Sequence, residues 1–513
     1  MNRRYFYLLS FLEGGSVMAC ELIGAKILAP YFGTSLYVWA AALGLTLGGL
    51  MCGYFLGGLL SKRFPDQTRL LFYLLILAGL FTALMPVSSQ WIMTYAIHLN
   101  LQLGAILSLL IFLAPPLIFM GMISPMVINL LNQKVKDAGN SAGNVYAIST
   151  FGGIIMTFLM GFYVIPNFGI SYPAIFIGIV LSLLPAISLL RRKEWKTLLI
   201  VPFFLFALIN TNQRISEAHA PELKYHSEGV MGQIKVIDLP MEISDTAMTG
   251  RCLVINNSIQ TVQILENPEL DFYPYTYYIP KFAEAFPKGG KALILGMGGG
   301  TLVRRLSKLG FDLDVVEIDG RLKEVAIAHF GLSANTNIII DDARHYLRTC
   351  GQQYDLIIYD TYISESAPEH MLTIEGLGEA RKCLKPEGSL LINFYGYFEG
   401  PRGKVVRSVH KTILAAGLSS RLFTTPGDEK DRNIIFIAGK PGHQLDQEML
   451  PEARSTPEAF DPFFLDPAKI DTSEAIILTD ERPQQGLYAK ASGEWRRRYN
   501  QNFTLQFSNY RRY

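Results

Sequence analysis

The chain has 513 residues, 46 of them basic and 44 acidic. A net charge of +2 gives no field for a nucleic acid, and the positive mean hydropathy excludes a disordered chain. Five cysteines without a C-x-x-C pair exclude a Cys-based zinc site and argue against a disulfide scaffold. No metal is expected, because the eight histidines are scattered and no H-E-x-x-H occurs. The average charge conceals a division. Residues 1–212 carry 12 basic and 5 acidic side chains, and residues 213–513 carry 34 and 39. The pattern predicts a multi-span α-helical membrane domain joined to a soluble half.

Six apolar segments near 5–29, 35–60, 69–93, 104–131, 143–165 and 170–190 reach the length a bilayer demands. A seventh, Thr197–Asn210, has about 14 apolar residues and contains Pro202. Glu13 interrupts the first apolar run, which argues against a cleaved signal peptide. Basic residues fall in alternate loops: Arg3 and Arg4; Lys62, Arg63 and Arg69; Lys134 and Lys136; Arg191, Arg192, Lys193 and Lys196. The positive-inside rule places these loops in the cytoplasm. Six crossings then leave the soluble half cytoplasmic, and seven leave it outside. The expectation is six, with 197–210 lying along the interface, because its helix would be about 21 Å long against a core of about 30 Å. Gly44, Gly48, Gly49, Gly53 and Gly57 recur at a spacing that lets helix backbones touch in lipid. Glu13, Glu21 and Lys26 in the first span serve either structural pairing or a polar pathway.

Beyond this domain of six or seven helices (1–212), residues 213–285 read as a small β domain. Its strands are Gln233–Asp238, Cys252–Asn256 and Ile259–Leu265. From 286 to 440 strands alternate with helices. The strands are Ala292–Leu295, Leu313–Glu317, Asn337–Ile340, Asp355–Tyr359, Ser389–Phe394, Ser419–Thr424 and Asn433–Ala438. Helices are expected from Thr301, over 321–330, and near 375–384 and 403–416. Such alternation predicts a doubly wound, Rossmann-like α/β domain with a parallel sheet, followed by a C-terminal extension over 441–513. The basic, aromatic Trp495-Arg496-Arg497-Arg498-Tyr499 reads as a solvated tail or a segment resting on anionic lipid.

In such sheets ligands bind outside the carboxyl ends of the strands. Gly296, Gly298 and Gly300 form a turn that a ligand can approach closely. Glu317, 21 residues beyond Gly296, is placed to bind the two hydroxyls of a ribose. Asp342, after the third strand, suits an adenine amino group. Asp360 ends the fourth strand, where it either caps a turn or acts as general base toward an amine. Together these residues predict an adenosine ligand rather than a dinucleotide.

Residues 225–440 resemble the spermidine synthase (polyamine aminopropyltransferase) family. The matching runs are Gly232-Gln233-Ile234, Asn257-Ser258-Ile259-Gln260, Leu295 to Leu302, Val315 to Asp319, Asp341 to Arg344, Tyr354 to Asp360 and Leu384 to Gly388. With the apolar half in front, Glu21 to Gly33 and Leu478-Thr479-Asp480, the chain is similar to the membrane-fused bacterial branch of that family. The resemblance implies that Gln233, Gly296, Gly298, Glu317, Asp342 and Ala343 hold the nucleoside, methylthioadenosine. It implies that Gln260, Tyr275 and Tyr362 contact the amine substrate, and that Asp360 accepts its proton. It further implies decarboxylated S-adenosylmethionine as co-substrate, putrescine or a similar amine as acceptor, spermidine as product, no permanent cofactor, an inner-membrane location and a homodimer.

Two departures stand against this. The family's Asp in the glycine turn, which holds the donor's ammonium, falls here on Gly299, and its second strand-four Asp, which binds the polyamine, falls on Ile363. Either Glu365, Glu369 or Glu375 in the following loop compensates, or the substrates differ from putrescine and the decarboxylated donor. Two other readings remain at this point: a methyltransferase using S-adenosylmethionine, and a transport or sensor protein with an inactive nucleoside domain.

Overall fold

A computed structural model of the chain describes residues 3–482. Excepted within that range are 33–35, 65, 97–98, 100, 132–137, 218–221, 230, 244, 257, 271, 363–368, 396, 430–431, 444, 446–462 and 467–469. Gly33, Lys134, Lys136, Asn257, Ile363, Glu365 and the 495–499 tail therefore lie outside the described residues.

The N-terminal unit is built from α1 (Arg3–Phe32), α2 (Leu36–Arg63), α3 (Gln67–Ala96), α4 (Leu101–Phe112), α5 (Ala114–Gly121), α6 (Ile123–Leu131), α7 (Ala138–Leu159), α8 (Ile165–Phe168), α9 (Ser171–Arg191) and α10 (Val201–Glu217). The helices are apolar nearly all round. One side packs inward through Ile23, Leu71, Phe72 and Leu117, while Phe55, Phe162 and Leu199 face outward and are exposed. Part of the glycine series explains how α2 meets α5 and α6: a Cβ on Gly53 would lie 2.4 Å from the Ile118 carbonyl oxygen, and one on Gly57 2.6 Å from that of Met122. Gly44 and Gly48 have no neighbour at that distance.

The seventh apolar segment is longer than the 14 residues counted in the sequence. Trp195–Asn212 is a continuous apolar stretch of 18 residues, long enough to cross. It runs antiparallel to α9 and traverses the bundle. At one end Glu194 pairs with Arg69 at 2.8 Å and Arg192 with Asp66 at 3.1 Å; at the other the Tyr172 hydroxyl donates to Asn212 at 2.7 Å. The 14-residue count was short because Trp195, Lys196 and the polar residues after Asn210 belong to the same helical run. Among the described residues, seven helical stretches are long and apolar enough to cross a bilayer.

The C-terminal unit starts with the four-stranded antiparallel meander β1 (Leu223–Gly229), β2 (Gly232–Ile243), β3 (Thr246–Ile255) and β4 (Ser258–Ile264), followed by α11 (Pro274–Ala283). Then come β5 (Lys291–Leu295), α12 (Thr301–Leu309), β6 (Asp312–Glu317), α13 (Gly320–Phe330), β7 (Asn337–Ile340), α14 (Ala343–Thr349), β8 (Tyr354–Tyr359), α15 (Ile374–Cys383), β9 (Leu384–Tyr395), α16 (Lys404–Ala415), β10 (Ser419–Thr424), β11 (Asn433–Gly439) and β12 (Phe464–Leu465). The sheet order is β12-β10-β11-β9-β8-β5-β6-β7, with the chain leaving β5 in both directions. This switch opens a crevice at the carboxyl ends of β5 and β8. Leu293, Ile357, Leu390 and Phe436 are fully buried against α15 and α16, which accounts for the uninterrupted apolar strands.

The sheet is not wholly parallel. β11 runs antiparallel to both β9 and β10, because residues 425–432 form a connection too short for a crossover helix. The strand pattern also missed β1, whose residues are nearly all half-buried and show no alternation, and α14, which is seven residues long.

Candidate active site

A cavity lies over the carboxyl ends of β5, β6, β7, β8 and β9, closed from above by β4 and the start of α11. The glycine turn after β5 forms its floor. Gly296 has φ +86°, and a Cβ there would lie 2.3 Å from the Asp360 carbonyl oxygen. Strand ends β5 and β8 can meet only through a residue without a side chain. Gly299 is equally confined, from the other face: a Cβ would lie 2.8 Å from Thr261 Cγ2, and its N–H donates to Thr261 Oγ1 at 2.9 Å. There is no space at Gly299 for an acidic side chain without moving β4.

Glu317, at the end of β6, is 6% exposed and accepts the Met297 N–H at 3.0 Å and the Asp319 N–H at 2.9 Å. Burial raises its pKa, and these backbone donors oppose the rise. The carboxylate ties the turn to β6 while lining the cavity. Asp342 caps α14, accepting from the backbone of Arg344 and His345 through Oδ1 at 2.9 and 3.0 Å. Its Oδ2 lies 4.0 Å from His370 Nε2, and burial lowers the pKa of that histidine. Asp342 and Ala343 both line the cavity.

Asp360 follows β8 on the opposite side of the turn. Its Oδ1 accepts from Asn393 Nδ2 at 2.8 Å, and its Oδ2 takes a long hydrogen bond from the Tyr275 hydroxyl at 3.4 Å. Asn393 is in turn oriented by Asn433 Nδ2 at 2.9 Å. Burial pushes the Asp360 carboxyl up to about 6, against the lowering effect of Asn393 and Tyr275. A carboxylate so placed is largely ionised at neutral pH and is a better base than an exposed aspartate. The Tyr362 hydroxyl donates to the Asn393 carbonyl at 2.7 Å, which aims its ring along the same wall.

The cavity thus gathers Gly296, Gly298, Glu317, Asp342, Ala343, Asp360, Gln260, Tyr275 and Tyr362. Gln233 is not among its lining residues; its side chain meets His226 at 3.0 Å and Glu228 at 3.5 Å. The replacement carboxylates are also elsewhere. Glu369 lines a neighbouring cleft, and Glu375 accepts the Asp480 N–H at 3.1 Å. Thr261, Asn393 and Arg432 line the cavity and were not singled out in the sequence, although Asn393 stands at a strand's carboxyl end, where such residues are to be sought.

Leu478-Thr479-Asp480 has a structural part. Arg344, 4% exposed, is clamped by Glu379, by the His370 carbonyl and by Asp480 Oδ2 at 2.9 Å. The Ile374 N–H donates to the Leu478 carbonyl at 2.9 Å, so the segment closes over α15 and holds the wall that carries His370.

The strand order, the glycine turn and the carboxylates at three strand ends define a Rossmann-like domain with a cavity at its switch point. Residues 271–393 match the Spermine/spermidine synthase domain family. A polyamine aminopropyltransferase of Vibrio vulnificus is 36% identical over 188 residues, 35% of this chain and 60% of that protein. One from Thermoplasma volcanium is 30% identical over 188 residues, 35% of this chain and 67% of its own length. The crystal structure of a probable spermidine synthase from Corynebacterium glutamicum aligns over 50% of this chain and 95% of that one, with 19% identity and a TM-score of 0.38. The chain belongs to the spermine/spermidine synthase family.

Proposed function

We propose that the chain is a membrane-embedded aminopropyltransferase, moving the propylamine group of a decarboxylated S-adenosylmethionine-type sulfonium to an amine. The observation that carries this is Asp360, a carboxylate oriented by Asn393 and Tyr275 in the same cavity as Glu317 and Asp342. The amine nitrogen attacks the propyl carbon bonded to sulfur. The C–S bond breaks, its electron pair stays on sulfur, and the sulfonium becomes the neutral thioether of methylthioadenosine. Asp360 takes the proton that the amine loses, so the leaving group needs no acid. The test supplies purified protein with decarboxylated or ordinary S-adenosylmethionine and a panel of amines. Methylthioadenosine as product supports propyl transfer. S-adenosylhomocysteine instead would make the protein a methyltransferase, a reading favoured by the lack of space for a carboxylate at Gly299.

Glu317→Ala is expected to weaken methylthioadenosine binding by about 1.5–3 kcal/mol, the scale of hydrogen bonds to a charged group. Calorimetry checks this, and an unchanged dissociation constant would place the ribose elsewhere.

The seven helices support crossing of a bilayer, with the chain leaving α10 at the face opposite the basic loops. Seven crossings put the C-terminal unit outside and six keep it in the cytoplasm, and labelling at two positions separates them. A cysteine at Lys288, in a variant with Cys350 replaced by Ser, should react with an impermeant maleimide in intact cells. One at Lys134 should react only after permeabilisation. Protection of both positions until permeabilisation would instead support six crossings and a cytoplasmic C-terminal unit.

A further inference from the structure

We infer that the acceptor amine carries an anionic group, held by Arg432. This deepens the transferase reading and rests on it. Arg432 lies just before β11. Because β11 is antiparallel to β9, its start sits at the same edge as the carboxyl ends of β8 and β9, and Arg432 lines the active-site cavity. Its neighbour Asn433 begins the hydrogen-bonded chain through Asn393 to Asp360. The Arg432 Nε is buried and has no hydrogen-bond partner, and the guanidinium forms no ion pair among the described residues. A guanidinium keeps its charge at any physiological pH and presents a rigid fork of donors that matches a carboxylate or phosphate. Leaving that Nε–H buried and unpaired is costly, and a guanidinium so placed on the cavity wall suits an anion.

The anion belongs to the acceptor rather than the donor. The nucleoside carboxylates stand on β6 and after β7, whereas Arg432 is beyond β8 in the other direction. Four strand spacings separate β11 from β6, roughly 19 Å, against two, roughly 10 Å, between β11 and β8. An acceptor whose nitrogen reaches Asp360 therefore extends away from the nucleoside and toward Arg432. Of the carboxylates lining the cavity, only Asp360 is on this side, so a diamine finds no second anionic anchor there among the described residues. The covalent step is unchanged: the N–C bond forms, the C–S bond breaks, and the amine's proton passes to Asp360.

The experiment uses the full chain in detergent with decarboxylated S-adenosylmethionine. Putrescine, 4-aminobutyrate and 2-aminoethyl phosphate are compared as acceptors by methylthioadenosine release. One of the two anionic amines should exceed putrescine in kcat/KM by about tenfold or more, the scale of one charge-assisted contact. Which one does so separates a carboxylate from a phosphate. Arg432→Met should erase the preference, and Arg432→Lys should restore part of it. Equal or better use of putrescine, with no change in Arg432→Met, overturns the inference. Binding of both anionic amines to the methylthioadenosine complex is also measured by calorimetry. Binding lost in Arg432→Met without turnover by any amine would keep the anion site and refute the transferase reading. Absence of binding in the wild-type complex would refute the site.

Discussion

Asp360→Asn is expected to lower turnover by about 10²–10⁴-fold, the range general-base catalysis contributes. Asparagine has nearly the same shape and can keep the Asn393 contact, so the affinity for methylthioadenosine should change little. What it loses is the ability to take a proton. The wild-type pH dependence follows from the raised pKa. Below about 6 the carboxyl becomes protonated and cannot act as base, so kcat/KM should fall about tenfold per pH unit. The acceptor's own ammonium adds a separate limb at higher pH, and the limb near 6 should vanish in the variant. Initial rates of methylthioadenosine release across pH 5–9, at about half-unit steps, check both statements. An unreduced rate in Asp360→Asn would remove this residue from the mechanism.

Arg344→Met should destabilise the C-terminal unit by about 3–5 kcal/mol, the cost of breaking a buried pair by removing one partner. The loss leaves Glu379 and Asp480 with only the more exposed Arg348, at 3.0 and 3.9 Å, and takes one donor from the His370 carbonyl. Denaturant unfolding of the full chain in detergent, followed by a probe in the C-terminal unit, measures this. Glu379→Gln added to Arg344→Met should recover part of the stability, because one of the stranded charges is then gone. A loss under about 1 kcal/mol would show that the cluster is solvated rather than structural.

The strand ends were legible because of how an open α/β sheet is built. Its central strands are buried on both faces and read as short apolar runs, as in β5 and β8, and polar residues mark where each run leaves the core. Ligand residues gather at those ends, so Glu317, Asp342 and Asp360 could be picked out one by one. Asn393 was passed over although it follows the same rule, because an amide in a strand carries no chemistry until its partner is known. Arg432 gave no signal at all: one arginine beside Asp431 and Lys430 reads as an ordinary turn.

The sequence by itself determined the division into an apolar and a charged half, the glycine turn, and the family to which the chain belongs, because each is written in local composition or in contiguous runs. Three matters were decided only by tertiary structure. The last apolar helix packs back along α9, with Tyr172 donating to Asn212, 40 positions apart. The direction of β11 was decided by its pairing with β9, and that pairing brings Arg432 to the edge where Asp360 stands. The role of Asp360 rests on Asn393 and Tyr275, which lie 33 residues after it and 85 before it and meet only in the folded sheet. The physical reason is common to all three. Length, burial and charge along a segment are properties of neighbouring residues, whereas helix direction, strand direction and the partner of a buried polar group depend on which distant segments come into contact.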